Sequence, residues 1–362
     1  MNVLILTNHI KSFGGSEIQA YEVYSYFKSR GDQVNVYANL FDLPMLAFFD
    51  EKDVIYDVEL INVIEFDFIW SQHSIFSRLF KEKTIESISV KVVSVHLSPF
   101  EPLELSSLPY MSKLDVTFVT NSEETKNRLL DFNINSENII VSNNAAPDEY
   151  IQKRARKLLK KITIISNHPP KEIFGAASLL KKRGYFVEII GGPRPKKVTP
   201  DLIANSDVII SIGKSVQYAL LSNTPIYCYD HFGGPGYLNT ENFSKAKYFN
   251  FSGRGFSRKD ANTIASEVID GFDDCMEFVA NMSIDDKRPF RLSVFMSSLL
   301  SKVSLTELSQ KDIQSIRMSY PIEEKISEYY KLNEKLALSI NTKKKRFKLN
   351  LFNIKLKRSK KH

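Results

Sequence analysis

The sequence predicts an α/β protein made of two successive parallel-sheet domains that face each other across a cleft. Apolar runs without strict polar alternation recur along the first 230 residues, which is typical of strands covered on both faces. Helical patterns separate these runs, and the alternation restarts after a charged stretch that ends at Lys161. Two alternating halves of this kind predict two β-α-β domains, each with a ligand crevice at the carboxyl ends of its strands.

The first half opens with a β-α-β unit. A strand at Met1–Thr7 is followed by a loop containing Gly14-Gly15, a helix capped by Ser16, and a strand at Gln33–Ala38. The GxGxxG fingerprint of nicotinamide dinucleotide binding is absent. Further strands are predicted at Phe66–Trp70, Val92–Val95, Val116–Thr120 and Ile139–Val141. Asn143–Pro147 and the charged run after it predict an inter-domain linker.

The second half contains the stretch around which the chain is organised, Asp207–Leu238. It holds two apolar strands, Val208–Ile212 and Pro225–Tyr229, and each ends in a polar, glycine-containing loop, the second of which is predicted to open a helix. Glycines let a backbone approach closely and helix N-termini offer unpaired N–H groups to anions, so the pattern predicts a phosphate-bearing ligand. The remaining predicted elements are a strand at Ile162–Ser166, a helix at Lys171–Lys182, a strand at Phe186–Ile190, and helices at about 258–282 and 305–338.

The composition limits the class of protein. With 362 residues, 43% of them hydrophobic, the chain has enough apolar material for two folded domains. Only two cysteines occur, Cys228 and Cys275, so we expect a reducing cytosol and no disulfide framework. The first residues lack the features of a signal peptide, and no apolar run approaches the roughly 20 residues of a membrane span. We expect a soluble or peripheral protein.

The histidines follow a pattern. Apart from His362, each lies within a few residues after a predicted strand: His9, His73, His96, His168 and His231. Taken singly, each is explained as a loop or capping histidine, but together they predict a polar site on both sides of the cleft. No HxxxH or CxxC spacing accompanies them, so no metal site is predicted.

Several short motifs occur in the order and spacing of a known family. They are GGSE at Gly14–Glu17 with RGDQV at Arg30–Val34, Asp67–Trp70 with His73, Val95-His96, TNSEETK at Thr120–Lys126, Ile140–Ala145, and Pro225–Pro235. Over about residues 1–280 the chain resembles the GT-B-fold glycosyltransferases, specifically the retaining family-4 group (glycosyl transferases group 1). The resemblance implies an acceptor domain at 1–155, a nucleotide-sugar donor domain at 156–305, a helix at 306–340 that crosses back, and a tail at 341–362.

The resemblance also implies an activity and its residues. It implies a retaining, metal-independent hexosyltransferase that uses a nucleotide sugar as substrate and needs no cofactor. His96 would position the donor sugar or the acceptor, and Lys214 would stabilise the leaving diphosphate. The implied donor-phosphate residues are Gly14, Gly15, Lys171, Ser215, Gly233 and Gly234. The implied donor-sugar or acceptor residues are His9, His73, His168, Asp230 and His231.

The chain departs from the family at one important place. The two glutamates that hold the donor sugar and ribose in the family fall here at Ile210 and Tyr218, neither of which can do that work. The chain is therefore a divergent member. The departure leaves open two alternatives, a non-catalytic GT-B subunit that assists a glycosyltransferase, and a sugar-nucleotide epimerase of the same fold.

The basic charge belongs to the tail. Residues 343–361 carry ten Lys or Arg and no acid, so the rest of the chain has 39 cations against 42 acids, a net charge of −3. On a helix, Leu349, Phe352 and Leu356 would share one face, which predicts binding to an anionic membrane surface. A solvated, disordered tail is the alternative; nucleic-acid binding is not predicted, since no motif supports it. We expect a cytoplasmic enzyme, peripheral to the inner face of the cell membrane, that builds a bacterial surface polysaccharide such as a capsule on a lipid-linked acceptor.

Overall fold

A computed structural model of the chain describes residues 1–81, 85–152, 158–192 and 195–359, with side chains up to residue 333 and at 335, 336 and 339. The side chains of the basic tail, 343–361, lie outside the described residues, so its amphipathic face stays a prediction. Within the described ranges, no helix combines the length and apolar character needed to cross a bilayer.

Strands and helices alternate along most of the chain. The strands are β1 (Asn2–Ile10), β2 (Gln33–Phe41), β3 (Val54–Ile55), β4 (Phe68–Gln72), β5 (Ile88–His96), β6 (Thr117–Thr120), β7 (Ile139–Val141), β8 (Lys161–Ile165), β9 (Phe186–Ile190), β10 (Val208–Ser211), β11 (Ile226–Asp230), β12 (Gly233–Tyr237) and β13 (Thr306–Leu308). The helices are α1 (Gly15–Ser29), α2 (Pro102–Leu105), α3 (Leu108–Met111), α4 (Glu123–Leu130), α5 (Lys171–Lys182), α6 (Pro200–Ala204), α7 (Lys214–Leu221), α8 (Phe243–Tyr248), α9 (Ala261–Asp270), α10 (Phe272–Asn281), α11 (Ile284–Lys287), α12 (Leu292–Lys302) and α13 (Gln310–Ser359).

The strands form two sheets. The first has the order β3-β2-β1-β4-β5-β6-β7 and is parallel, with β13 added antiparallel to β5. The second has the order β12-β11-β10-β8-β9 and is parallel except for β12. In each sheet the strand order reverses at a switch point, between β1 and β4 and between β8 and β10. Ligands of open α/β sheets bind beyond the carboxyl ends of the strands at such points.

Apolar side chains cover both faces of each sheet. In the first sheet, Val3 and Ile5 of β1 pack on one face while Leu4 and Leu6 pack on the other. In the second sheet, the residues of β10 divide in the same way, with Ile209 on one face and Ile210 on the other. Burial on both faces explains why these strands are continuous apolar runs in the sequence. The predicted α/β fold class is confirmed, and Cys228 and Cys275 are buried free thiols.

The predicted helix after β11 is wrong. The glycine-rich segment instead forms β12, which pairs antiparallel with β11. A Cβ added at Gly234 would overlap the carbonyl oxygen of Cys228 and lie 2.7 Å from the Cα of Tyr229. The sequence predicts close contact of these glycines with a phosphate, whereas in the structure Gly234 permits close contact between two strands.

Three other element predictions need correction. Helix α1 begins at Gly15 and is capped at Gly14 rather than at Ser16. The helix expected at 258–282 is two helices, α9 and α10, that meet at Gly271. The helix expected at 305–338 is preceded by β13, and α12 was not predicted at all. The bounds predicted for β7, α5 and β9 agree with the structure.

After forming the second sheet, the chain returns and packs against the first sheet. Met296 and Leu299 of α12 pack into the core around β1 and β4, and Ile313 and Ile316 of α13 pack on the opposite face of the same sheet. The limits of the two domains stay a prediction, and the packing of α12 favours an end of the second domain near residue 291 rather than 305.

The two connections between the sheets run side by side. The N–H of Ala146 donates to the carbonyl oxygen of Phe290, and the N–H of Leu292 donates to that of Ala146, both at 2.8 Å. Asp148 and Arg291 form an ion pair across the same two segments at 2.8 Å. We call residues 144–148 and 290–292 the hinge segments, since they join the two sheets at one place.

Candidate functional site

A cavity of about 490 Å³ lies between the two sheets and is called the cleft below. Loops after β1, β5 and β6 form its first wall, and loops after β8, β9, β10 and β11 form its second wall. Both switch points open into the cleft. Of the site residues predicted from the sequence, those that line it are Gly14, Gly15, His168, Lys214, Ser215, Asp230 and His231.

The loop after β1 is closed by Glu17, a buried residue of α1. Its carboxylate accepts hydrogen bonds from the backbone N–H groups of Lys11 and Ser12, both at 2.7 Å, and of Gly14 at 3.0 Å. Burial raises the pKa of Glu17, and these hydrogen bonds oppose the rise. This arrangement fixes Gly14 and Gly15 at the cleft wall, where the first turn of α1 presents N–H groups that a helix leaves without internal partners.

Lys214 begins α7 at the second wall, but its ammonium is already bound. It pairs with Glu22 of α1 at 2.5 Å and donates to the carbonyl oxygens of Asn144 and Ala145 in a hinge segment. The hydroxyl of Tyr218 donates to the other oxygen of Glu22 at 2.5 Å. Burial raises the pKa of Glu22, and the Lys214 ammonium opposes that rise. Lys214 therefore joins the two sheets, and the structure gives it no spare charge for a diphosphate.

The second wall carries a group of polar side chains. Asp230 at the end of β11 accepts hydrogen bonds from the Ser166 hydroxyl at 3.1 Å and from the N–H of His231 at 2.8 Å. His168 is exposed and makes no side-chain hydrogen bond within the described residues. Ser215, in the first turn of α7, lines the same wall. The wall thus offers one fixed carboxylate, two imidazoles and a helix N-terminus.

Lys196 is the exposed cation at this wall that the sequence analysis missed. It follows β9, lines the cleft and forms no ion pair within the part of the chain that the structure describes. Its neighbour Lys197 lies over the ring of Tyr21 at 4.0 Å from the centroid, so the segment touches the first domain. The position of Lys196 in the polar loop after a predicted strand is the signal in the sequence that points to it.

His96 does not line the cleft. Its side chain is 1% exposed, its Nδ1 donates to the carbonyl oxygen of Glu104 at 2.5 Å, and its Nε2 lies 2.9 Å from the Ser94 hydroxyl. Burial lowers the pKa of His96 to about 4. The predicted direct contact with donor or acceptor is therefore not supported, because Glu104 lies between His96 and the cleft, which it lines.

His73 and His9 are buried beside His96 rather than in the cleft lining. The two rings stack at 5.0 Å, and Tyr330 of α13 stacks on His9 at 4.7 Å. Of the five histidines, His73, His168 and His231 follow strands as predicted, whereas His9 lies inside β1 and His96 is the last residue of β5. The three histidines of the first sheet form an internal cluster under α13. Ser327 of α13 reinforces it by donating to Asn8 at 2.6 Å.

Three further predicted phosphate residues lie away from the cleft. Lys171 is an exposed residue at the start of α5 outside the lining. Gly233 and Gly234 belong to β12, where backbone packing accounts for both: Gly233 has φ +95°, and a Cβ there would lie 2.6 Å from the Ser257 carbonyl oxygen.

Side chains outside the cleft lining also connect the first and second halves of the chain directly. Arg254 and Glu124 form a bidentate ion pair, with Nε 2.9 Å from Oε1. The Arg254 guanidinium lies over the ring of Phe100 at 5.6 Å. These contacts hold the two sheets close in this structure. Among the described residues, no three His, Cys, Asp or Glu side chains are arranged to hold a metal ion.

Comparison with solved structures identifies the fold. The structure of HepE from Anabaena in complex with UDP-glucose matches with a TM-score of 0.53 at 13% identity, covering 84% of this chain and all of that one. A Listeria monocytogenes protein assigned as a UDP-N-acetylglucosamine 2-epimerase matches with a TM-score of 0.51 at 11% identity, covering 83% and 95%. No family profile and no curated sequence matches the chain. The chain has the GT-B fold, in a divergent form.

Proposed function

We propose that the protein is a glycosyltransferase that moves a hexose from a UDP-sugar to a glycan acceptor. The observation that carries the proposal is the cleft, where both switch points of a GT-B fold meet and the groups that an anionic sugar nucleotide needs converge. The two solved structures with a similar fold also point to UDP-sugars, since HepE holds UDP-glucose and the Listeria protein is named for UDP-N-acetylglucosamine. The volume of the cleft, about 490 Å³, suits a small ligand.

The second wall would bind the donor. Lys196 and the first turn of α7 would stabilise the charge that develops on the diphosphate when the bond to the sugar breaks. The first turn of α1 at Gly15 would contribute N–H groups from the opposite side. Asp230, which is held by Ser166, and His168 would bind sugar hydroxyls. Retention of configuration and metal independence are proposed from the resemblance alone.

A non-catalytic GT-B subunit is the second candidate. The observation that favours it is the ion pair of Lys214 with Glu22, which occupies the cation that the resemblance assigned to the diphosphate. A pure scaffold has no use for an exposed cation in the cleft, which is why Lys196 separates the two candidates. An epimerase would bind the same donor but would convert it without an acceptor.

Donor binding is tested by thermal unfolding with UDP-, GDP-, dTDP- and CMP-sugars. We expect a UDP-sugar at about 100 times its dissociation constant to add roughly 2.7 kcal/mol of stability. Lys196→Ala should weaken this stabilisation, because it removes the cation next to the diphosphate. Lys171→Ala is the matched control, since it removes an exposed lysine of the same domain outside the cleft lining.

The outcomes separate the candidates. No stabilisation by any nucleotide sugar would contradict the glycosyltransferase proposal and favour the scaffold. Stabilisation followed by conversion of the UDP-sugar to its epimer, without UDP release, would identify an epimerase. If Lys171→Ala lost as much stabilisation by the UDP-sugar as Lys196→Ala, general surface charge rather than the cleft would bind the donor.

We propose in addition that the enzyme binds the inner face of the cell membrane peripherally, from the cytoplasm, to reach a lipid-linked acceptor of surface polysaccharide synthesis. An apolar stripe along α13 supports this: its residues recur at helical spacing and each is at least 51% exposed, namely Met318, Ile322, Tyr329, Leu332 and Leu336. The same helix leads into the ten cations of residues 343–361. An apolar stripe followed by a basic segment suits an anionic bilayer.

Vesicle flotation tests the membrane proposal. We expect binding to vesicles that contain phosphatidylglycerol and little binding to phosphatidylcholine alone. The triple variant Lys343→Gln, Lys344→Gln, Lys345→Gln should lose about 3 kcal/mol of binding free energy to the anionic vesicles. This loss corresponds to a roughly hundredfold lower partitioning into them. The control variant Lys181→Gln, Lys182→Gln, Arg183→Gln removes three exposed cations from the end of α5 and should bind like the wild type. Equal binding to both kinds of vesicle would contradict an electrostatic contribution.

A further inference from the structure

Glu104 is the ionisable side chain that the first wall contributes to the cleft, among the described residues that line it. It lies in α2, directly after β5, and is 4% exposed. The rest of that wall near it is formed by Leu97, Asn121 and the Gly14-Gly15 loop, none of which can exchange a proton at neutral pH. A carboxyl group alone in such a place needs an explanation.

Contacts fix the position of this carboxyl group. Oε2 accepts a hydrogen bond from the N–H of Leu97 at 3.0 Å. Among the residues that the structure describes, none donates a hydrogen bond to Oε1, and His73 Nε2 lies 3.7 Å from it. The backbone carbonyl of Glu104 is held by His96. One oxygen is thus anchored while the other remains available to a ligand.

The orientation of His73 follows from its other nitrogen. The N–H of Asn8 donates to His73 Nδ1 at 3.1 Å, so Nδ1 carries no proton. Burial and the nearby His9 and His96 keep the pKa of His73 well below its ordinary value, so the ring is neutral at pH 7. Its single proton is therefore on Nε2, on the side of Glu104 Oε1. An N–H on that side stabilises the ionised form of the Glu104 carboxyl group.

We propose that Glu104 accepts the proton of the acceptor hydroxyl during sugar transfer. The inference rests on the proposed glycosyltransferase function. The acceptor oxygen forms a bond to the anomeric carbon, the bond from that carbon to the diphosphate oxygen breaks, and its electron pair leaves with UDP. The proton passes from the acceptor oxygen to Glu104 Oε1 and later to water. His73 and His96 act through Glu104 and are positioning residues.

The basicity of Glu104 suits this role. Burial, and to a smaller extent the charge of Glu101, raises the pKa of Glu104 to about 8, while the Leu97 hydrogen bond opposes the rise. A base is most effective when its pKa lies near the working pH. On α13, which packs against α2, the Glu323 carboxyl group is bound to Ser77 and Tyr110. Lys325 on the same helix is paired with Glu328, so it does not neutralise Glu104. The ionisable side chains that line the same cleft from the second wall are His168, Lys196, Lys214, Asp230 and His231.

A different route for the proton is the competing mechanism. In the retaining reaction that the resemblance implies, the leaving phosphate itself can take the proton from the acceptor. That route needs no protein base and predicts no pH dependence from Glu104. The two routes therefore differ in the pH profile and in the effect of removing the carboxyl group.

The test compares the full-length wild type with Glu104→Gln, using the UDP-sugar that stabilises the protein. UDP release is followed from pH 6 to 9 with water and with octyl glucoside as acceptor probes. We expect the wild-type rate to rise with pH until about 8 and then level off. Glu104→Gln should lose at least a hundredfold in kcat at pH 8, keep the KM for the donor, and lose the rise with pH.

Two further variants serve as controls for Glu104→Gln. Glu101→Gln removes an exposed carboxyl from the same segment outside the cleft lining, and should keep the activity with its pH rise shifted slightly to lower pH. His73→Asn should move the pH rise to higher values and lower kcat, without abolishing donor binding. A loss of folding in His73→Asn leaves the Glu104→Gln comparison intact.

The outcomes distinguish this inference from the function on which it rests. A pH-independent wild-type rate, or full activity in Glu104→Gln, overturns the role of Glu104 and favours proton transfer to the leaving phosphate. A wild type that is stabilised by the UDP-sugar yet releases no UDP also overturns it, while donor binding stands. Absence of any stabilisation by nucleotide sugars overturns the proposed function as well.

Discussion

Replacement of Glu22 by alanine should lower the free energy of unfolding by about 3 to 5 kcal/mol. The change removes the carboxylate that pairs with Lys214 at 2.5 Å, in a place where the two side chains are only 5% and 9% exposed. The ammonium would remain buried with two carbonyl oxygens as its partners, and the hydroxyl of Tyr218 would lose its acceptor. Urea unfolding of the full chain measures the loss.

The controls separate a buried charge from a lost contact. Glu22→Met with Lys214→Met removes both charges and keeps the volume, so it should recover much of the stability lost in Glu22→Ala. Glu328→Ala breaks the exposed pair with Lys325 and should leave the unfolding transition unchanged. If Glu22→Ala were as stable as the wild type, the ion pair would not hold the two sheets together.

Lys214 is a poor probe of donor binding because it is part of the buried ion pair. A Lys214→Ala variant would leave Glu22 buried and unpaired, so loss of donor binding in that variant would follow from damage to the hinge region as readily as from loss of a phosphate contact. Lys196 is the better probe, because it is exposed and makes no ion pair within the described residues.

Gly234→Ala should also destabilise the protein strongly, by about 3 kcal/mol. The added Cβ would meet the backbone of β11 at Cys228 and Tyr229, and backbone atoms inside a sheet cannot rotate aside as a flexible side chain can. Because β11 lies between β12 and β10, its displacement would spread into the centre of the second sheet. The loss of stability is measured by urea unfolding without ligand.

Gly15→Ala is the matched variant for the other glycine pair. A Cβ at Gly15 has no atom within 4 Å, and its backbone is not in the left-handed region. Its stability should equal that of the wild type or exceed it by up to about 1 kcal/mol, as alanine favours the helix. Since Gly15 lines the cleft, the same variant should weaken stabilisation by UDP-sugars. Equal stability of both glycine variants would show that β12 tolerates a side chain at Gly234.

Local patterns were sufficient to predict most of the strands and helices of the two sheets, but not β12, β13 or α12. The apolar runs and the glycines that end them depend on neighbouring residues, so β7, α5 and β9 could be placed within their observed bounds. The same signals placed Gly14-Gly15 after the first strand, and the topology of parallel sheets then implied the cleft. The position of Asp230 and His231 at the end of β11 was predictable for the same reason.

The roles of individual charged and polar residues depended on contacts between distant segments. Lys214 and Glu22 pair only because α1 and α7 meet beside the hinge segments, and no local pattern records that meeting. His96 was a reasonable choice from its place at the end of β5, yet the short helix α2 folds back so that Glu104 takes the cleft position. The sequence at Gly233 and Gly234 does not distinguish a glycine that contacts a phosphate from one that contacts a neighbouring strand.

The sequence by itself therefore determined the fold class, the two successive sheets and the sheet edge that borders the cleft, because hydrophobic periodicity and turn residues act over a few positions. Only the tertiary structure decided which side chains line that cleft. A buried ion pair, a carboxyl group beside the ring of a distant histidine and a glycine pressed against a neighbouring strand each depend on segments far apart in the chain. Those contacts exist only once the two sheets have packed together.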